Sequence, residues 1–534
     1  MSTTLRGMLR FALPAVMLAA CTLGPNLAQA QMTSTGIDCS QISTLHLLQQ
    51  ENMRAGLALM ECGVIPRPDM DVEGDAMNND APQPPNVLVS NRTCTSGSSC
   101  TKSESMVYKS TRPTENVVVV NYNDHNGNNY SGTSYSTDGG ATFTEILPPP
   151  FANGHGTNYG DPIVVFNSKL NKWFAGDLTT GCGGQGIGLW TSPDGINWTA
   201  GACAHNSGAD DRESLWVDNN PYSKKYGRMY ISFGNYQIGV GALQLVYSDD
   251  GTTWTTVTIS NTNTFIRDVQ VTGSPVGAPP PSTGYTSTVF VAGMDEGGGG
   301  LGSRQNIMFR SIDGGVTWTS ATMGPRFNAP GDGTCSSNPY FADVAPIWRH
   351  MGWGEPGVGS GNVVHYVYAG QGQAANDHGD IYYVRSTDNG STWSAPIKLN
   401  DDPGGQYKTQ WMPSLSVNYD AIGTRLEAKV TVSWYDRRQA TSACTTATDP
   451  GCSYYRYGVQ SADNGATWAA NIQISDQLIP QPTQNDGGVQ PCYAGDYDYA
   501  TAQGEHAFVT WTDGRVAVGG VQVQNVEFAA VPEP

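Results

Sequence analysis

The chain has 534 residues, 64 of them glycine and 32 proline, with only 14% charged, a composition suited to many short strands and turns. A formal net charge of −19 excludes a general nucleic-acid binder, because phosphate binding needs clustered Lys and Arg. Any anionic ligand therefore needs a local arginine pocket in an otherwise acidic surface.

Residues 1–30 read as an export signal. Arg6 and Arg10 form a basic start, and Phe11 to Ala20 is an apolar run too short to span a membrane. Two processing sites compete: Ala28-Gln-Ala30, which leaves Gln31 first, and Leu18-Ala-Ala-Cys21, which resembles a bacterial lipobox and would put a lipid anchor on Cys21. The chain is expected to be exported, whether periplasmic, an outer-membrane lipoprotein or extracellular, with no transmembrane segment. It has 11 cysteines, and the even number left after Cys21 suggests disulfides. Proximity pairs Cys39–Cys62, Cys94–Cys100, Cys182–Cys203 and Cys444–Cys452, leaving Cys335 and Cys492. No Cys-x-x-Cys occurs, so a zinc site of that kind is not supported.

Residues 31–63 form a helical N-terminal segment. Ile42, Leu45, Leu48, Met53, Leu57 and Met60 recur near helical spacing over 38–62, which predicts one amphipathic helix or a helical hairpin, packed as a cap. Residues 64–85 are a Pro-rich linker. From 86 to 530 the pattern is short strands.

Within that region one eight-residue phrase recurs, Ser-x-Asp-x-Gly-x-Thr-Trp with small variations. Its copies start at Ser136, Ser192, Ser248, Ser311, Ser386 and Ser461, spaced 56, 56, 63, 75 and 75 residues apart. Asp and Gly build a tight turn, since Asp bonds nearby backbone N–H groups and Gly accepts positive φ. The closing aromatic is an apolar plug. Each repeat reads as three strands before the turn and one after it, which is a propeller blade. Three strands after the sixth copy, together with Asn86 to Ser90, would complete a seventh blade. The predicted fold is an all-β, seven-bladed propeller of four-stranded antiparallel blades, with six blades as the alternative.

The phrase resembles the Asp-box, or BNR repeat, of the sialidase superfamily. The resemblance implies that the turns are structural and that ligands bind on the opposite face, around the central channel. Sorting residues by that geometry puts the starts of innermost strands at Asp161, Asp211-Arg212-Glu213, Arg267-Asp268, Asp343, Trp411 and Asp496-Tyr497-Asp498. The loops between second and third strands carry Asp124-His125, Asp177, Asp295-Glu296, Asp377-His378, Asp436-Arg437-Arg438 and Asp513-Gly-Arg515. Acids and arginines thus converge on one mouth, a polar funnel for a sugar.

Asp211, Glu213 and Tyr497 are the catalytic candidates. Arg212, Arg267, Asp268, Trp411, Arg438, Asp496 and Arg515 are the substrate-binding ones. The resemblance implies three arginines gripping a substrate carboxylate and a Tyr nucleophile activated by Glu, here Tyr497 with Glu213. The family's early Arg-Ile-Pro signature is not matched, since Ile65-Pro-Arg67-Pro has the letters in another order. Two alternatives compete with catalysis at these positions. Charges opening a buried strand also serve as salt bridges between blades. The recurrence of Trp434-Tyr-Asp436-Arg-Arg438 as Trp511-Thr-Asp513-Gly-Arg515 favours architecture, because a repeated feature serves the repeat.

The expected function is an exported carbohydrate-active enzyme, a sialidase-like glycosidase. The alternatives are a non-catalytic glycan- or protein-binding propeller and a lyase of uronic-acid polymers, the latter using His155 or Tyr497 as base beside Arg267. No cofactor is required, the acidic loops would accept a structural calcium ion, and the protein is expected to be a monomer.

Overall fold

The computed structural model describes residues 32–68, 85–90, 101–126, 129–147, 149–262, 265–274, 284–345, 348–422, 425–446, 449–484, 486–518 and 520–534. The export signal, Cys21, most of the linker and the Cys94–Cys100 pair lie outside them. Seven sheets, each built on four antiparallel strands, follow one another around a ring. Their innermost strands are Lys102–Lys109 (blade 1), Ile163–Asn167 (blade 2), Asp210–Val217 (blade 3), Ile266–Gly273 (blade 4), Glu355–Val358 (blade 5), Gln410–Ile422 (blade 6) and Thr501–Gln503 (blade 7).

Blades stack face to face, so their middle strands are buried on both sides and read as apolar runs rather than alternating ones. Met229–Asn235 is buried along its whole length. Blade 7 joins the two ends of the propeller: Val87–Leu88 pairs with Asn525–Pro532, Val87 opposite Phe528 and Leu88 opposite Glu527. Phe143 of blade 1 meets Phe528 edge-on, with ring centroids 5.0 Å apart, sealing the same junction.

All six Ser-x-Asp turns join a third strand to a fourth and repeat one hydrogen-bond set, in which the Ser hydroxyl donates to the Asp carboxylate. At Ser311 the Gly315 N–H then donates to Ser311 Oγ (2.9 Å), Thr317 Oγ1 donates to Asp313 Oδ2 (2.6 Å), and Trp318 Nε1 donates to the Gly315 carbonyl (3.1 Å). The Ser136 and Thr142 hydrogen bonds hold the Asp138 carboxyl down at about 2. These acids are therefore committed to their own turns.

The N-terminal segment differs from a single helix. A 3-10 turn at Cys39–Gln41 and a run of turns precede the α-helix Met53–Glu61. His46 adopts a φ of 52°, which no continuous helix tolerates. Asn52 then starts a new helix by accepting from the Ala55 N–H (2.9 Å). The Cys39–Cys62 disulfide closes the segment, which lies on the face opposite the Ser-x-Asp turns. Cys182–Cys203, Cys335–Cys492 and Cys444–Cys452 are also bonded.

Asp343 does not open an innermost strand. It sits in an insert between blades 4 and 5, a small sheet of Gly333–Thr334, Ala342–Ala345 and Trp348–Arg349. Its strands are too short and its pairing too local to extend into a blade, so blade 5 begins at Glu355 instead. Among the described residues no helix is long and apolar enough to cross a membrane.

Asp313→Ala removes an acceptor for four donors at once. It is expected to lower stability by about 1–2 kcal/mol in urea unfolding, each net hydrogen bond being worth ~1 kcal/mol and this turn partly hydrated.

Candidate functional site

The innermost strands share a device at their channel-mouth ends. Glu104, Arg212, Asp268 and Met412 each have positive φ, between 47° and 59°, and each lies in a β-bulge where the register with the second strand shifts. Asp161, with φ 60°, occupies the same place just before blade 2's innermost strand. Bulges re-aim side chains, and non-glycine residues held in this region mark sites that the surrounding structure over-determines. Here the bulges put charged side chains around one mouth, all buried.

Those side chains link one blade to the next. The Asp496 N–H donates to Glu104 Oε1 (2.7 Å), and Asn123 of blade 1 donates to Glu104 while accepting from the Asp161 N–H (2.9 Å). The Arg212 N–H donates to Asp161 Oδ2 (3.1 Å), and Arg212 Nη2 donates to Asp268 Oδ1 (2.5 Å). Asp268 Oδ2 then accepts from the Gly354 N–H (3.0 Å), just before blade 5. This polar chain runs from the blade 7 connector to blade 5.

A second layer of arginines faces the mouth. Arg212, Arg267 and Arg349 are buried and stacked on aromatic rings: Tyr497 at 3.9 Å from the Arg212 guanidinium carbon, Phe341 at 4.1 Å from that of Arg349, and Trp353 at 5.2 Å from that of Arg267. Guanidinium tolerates such burial because it is weakly hydrated and stacks well. Arg349 binds Asp496 through Nε (3.0 Å) and Nη2 (2.5 Å). Arg267 Nε pairs with Glu296 Oε1 at 3.2 Å, and Glu296 in turn accepts from Tyr340 OH (2.5 Å) and Trp353 Nε1 (2.7 Å).

All three arginines also meet Glu51 of the N-terminal segment. Its carboxylate lies 3.1 Å from Arg267 Nε and 3.5 Å from Arg212 Nη1, and its backbone carbonyl accepts from Arg349 Nη2 (2.9 Å). Asp211 accepts from the Glu51 N–H (3.0 Å), the Asn52 N–H (3.2 Å) and Asn52 Nδ2 (2.7 Å). Asp211 therefore holds the segment's backbone.

Carboxylates outnumber arginines in this mouth, and several are pushed toward the neutral form. Burial, reinforced by Asp211, raises Asp161 from 3.8 to about 8. Burial first and then the neighbouring Asp161 and Asp177 raise Glu213 well above its ordinary value, and neither Glu213 oxygen has a hydrogen-bond donor from another described residue. Burial also raises the Tyr497 hydroxyl, whose oxygen has no hydrogen-bond partner among the described residues.

The structure thus brings together Asp211, Arg212, Glu213, Arg267, Asp268, Asp496 and Tyr497, but Glu213 does not hydrogen-bond Tyr497. Three expected binding residues lie elsewhere. Trp411 is fully buried in an aromatic cluster with Trp348, Tyr435 and Tyr454. Arg438 pairs with Asp436 and Asp401, and Arg515 with Asp513 and Asp476. In both, the Trp two residues before the Asp donates to the same carboxylate, Trp434 at 2.8 Å and Trp511 at 2.9 Å, so the repeated Trp-x-Asp pattern is architecture. His155 lies edge-on to Trp190 with Nδ1 beside the Cys182–Cys203 sulfurs, already bonded to each other. Glu296 was expected in a loop at this mouth and lies there, whereas Glu51, Glu104 and Arg349 were not singled out from sequence. Glu104 alone carried a signal, a lone acid among small polar residues at the start of a strand.

No protein-family model and no curated protein matches the chain. Among solved structures it is similar to an α-L-arabinofuranosidase from Fusarium graminearum (12% identity, 84% of this chain and 97% of that one, TM-score 0.40). It is similar to a PL25 ulvan lyase bound to an oligosaccharide (10% identity, 83% and 96%, TM-score 0.43) and to the Aleuria aurantia lectin with α-methyl-L-fucoside (13% identity, 70% and 94%, TM-score 0.35). Likenesses this distant say nothing of the chemistry of this mouth.

Two outcomes follow. Asp268→Ala leaves Arg212 short of its closest counter-ion and is expected to lose about 3–5 kcal/mol of stability, as when one partner of a buried pair is removed. Asp161 is neutral in the folded state well above the pH at which the unfolded chain ionises. Its contribution is complete below about pH 4 and is lost as pH rises toward 8. The Tm of Asp161→Asn should therefore rise relative to the parent between pH 5 and pH 8 in a thermal-melt series.

Proposed function

We infer that the protein is an exported, carbohydrate-active propeller that takes a carboxylate-bearing glycan at the Arg212–Arg267–Arg349 mouth, with glycoside hydrolysis of sialidase-like type as its chemistry. The observation that carries this reading is the convergence of two buried guanidinium groups, Arg212 and Arg267, on one carboxylate, with Arg349 on the backbone carbonyl of the same residue, in a chain whose surface otherwise repels anions. In this reading Glu213 and Asp161, which burial pushes toward the protonated form, donate the proton to a leaving oxygen. Tyr497, stacked on Arg212, is the nucleophile that the resemblance to the sialidase superfamily implies. Four disulfides suit an oxidising compartment.

A second reading, a non-catalytic glycan-binding propeller, has its own support. Asp211 holds the N-terminal segment, Asp268 and Asp496 hold arginines, and the Tyr497 hydroxyl has no hydrogen-bond partner among the described residues. A panel of sialosides, other aryl glycosides and uronic-acid polysaccharides separates the readings. Under the first, the parent turns over an acidic glycoside, Glu213→Gln loses at least a hundredfold in kcat while still binding, and Arg267→Ala raises KM at least tenfold. Saturable binding without turnover establishes the second. Release of an unsaturated product from a uronic-acid polymer points instead to elimination.

A further inference from the structure

The segment 32–66 differs from the rest of the molecule in how it is held. Its apolar core is its own: Ile37, Leu47, Ala55, Ala58, Leu59, Met60 and Ile65 pack on one another, with no blade residue in the cluster. The Cys39–Cys62 bridge closes that unit covalently, as a unit this small requires. Against the propeller it presents a different surface. Gln50 accepts from Gln185, Glu51 faces the arginines, Asn52 binds Asp211, and Arg54 donates to Gln185 and to the Gly208 carbonyl. Its apolar contact with the main propeller core is confined to Met53, a member of that cluster, and Leu57, which packs against it. A unit with a private core and a polar interface resembles a docked domain more than a piece of the scaffold. Its ionic contact is also nearly neutral in free energy, since the desolvation of buried charges offsets much of their attraction.

We propose that residues 32–66 are a displaceable plug, and that the Glu51 carboxylate occupies the seat of a ligand carboxylate in the arginine cage. The proposal rests on the reading that the cage is a ligand site. An acidic sugar and Glu51 then compete for Arg212 and Arg267, and the plug leaves as a folded unit, its disulfide and core intact. The neutral form of the seat, Glu51→Gln, weakens the plug without opening a cavity. Gly56 offers an independent lever: a Cβ there would lie 2.9 Å from the Gln490 side chain, so Gly56→Leu wedges the helix off the propeller while leaving Glu51 in place.

The test uses the full chain and its Glu51→Gln, Glu51→Ala and Gly56→Leu variants. Hydrogen exchange is followed at the amides of Met53–Glu61 and at blade strands, and D-glucuronate and N-acetylneuraminate are titrated by calorimetry. The expected result is that helix amides exchange at least tenfold faster in every variant while blade strands stay protected. One acidic sugar then binds each variant at least tenfold more tightly than the parent. Helix and blade amides that exchange together in parent and variants alike overturn the plug, whatever binds. An acidic sugar that binds parent and variants with equal affinity also overturns it and leaves the ligand reading standing. Independent opening of the helix with no sugar binding to any form overturns the ligand reading, and the competition falls with it.

Discussion

Everything at the mouth of this propeller depends on compensating charges that the fold has buried. Seven innermost strands converge there, and left-handed backbone at the ends of the first four aims Glu104, Asp161, Arg212 and Asp268 inward, where water is excluded. An isolated buried ion is far too costly to keep, so each must find a partner on a neighbouring blade. The chain of contacts from Asp496 through Glu104, Asn123, Asp161 and Arg212 to Asp268 and Gly354 is the outcome. Blade-to-blade spacing and ionic pairing therefore constrain each other, which is why left-handed backbone at charged residues is tolerated at the same place in successive blades.

The same constraint explains the protonation pattern. Arg212, Arg267 and Arg349 cannot neutralise Glu51, Glu104, Asp161, Asp211, Glu213, Asp268, Glu296 and Asp496 together. The balance is met by holding some carboxyls neutral. Asp161, beside Asp211, and Glu213, beside Asp161 and Asp177, take that form; burial raises Asp268 as well, but there a guanidinium and a backbone N–H oppose it. Neutral acids next to fixed cations arise here from packing alone.

The ring was legible in the sequence because it is written locally. Each Ser-x-Asp turn closes its own hydrogen bonds within eight residues, so the copies index six blades, and the unmatched strand at Val87–Leu88 with the C-terminal strands supplies the seventh. Asp211, Arg212, Arg267 and Asp268 were legible for a related reason, as charges opening apolar strands. Arg349 and Glu51 were not. Arg349 lies in an insert with no repeat to index it, and Glu51 sits between two helical turns in a segment whose periodicity advertises only its apolar face. Trp411, Arg438 and Arg515 show the converse failure. Their types suit sugar binding, but their neighbours consume them: an aromatic cluster for the tryptophan, and Asp436 and Asp513 for the arginines.

An arginine cage of this kind is incomplete without an anion. Among the described residues Arg267 pairs with Glu296 and Glu51 and lies in the field of Asp211, its two terminal nitrogens lack hydrogen-bond acceptors, and rings surround them. Stacking on aromatics stabilises a guanidinium by about 0.5–2 kcal/mol, well short of the several kcal/mol of desolvating it. In the resting chain the group at the centre is the Glu51 carboxyl, which burial pushes well above its ordinary value and which Arg267 and Arg212 draw back toward the anion. A ligand that brings its own carboxylate meets a site already shaped for one and needs only to replace a contact of near-zero net free energy. The feature that makes the mouth look filled is thus the feature that fits it to an acidic guest.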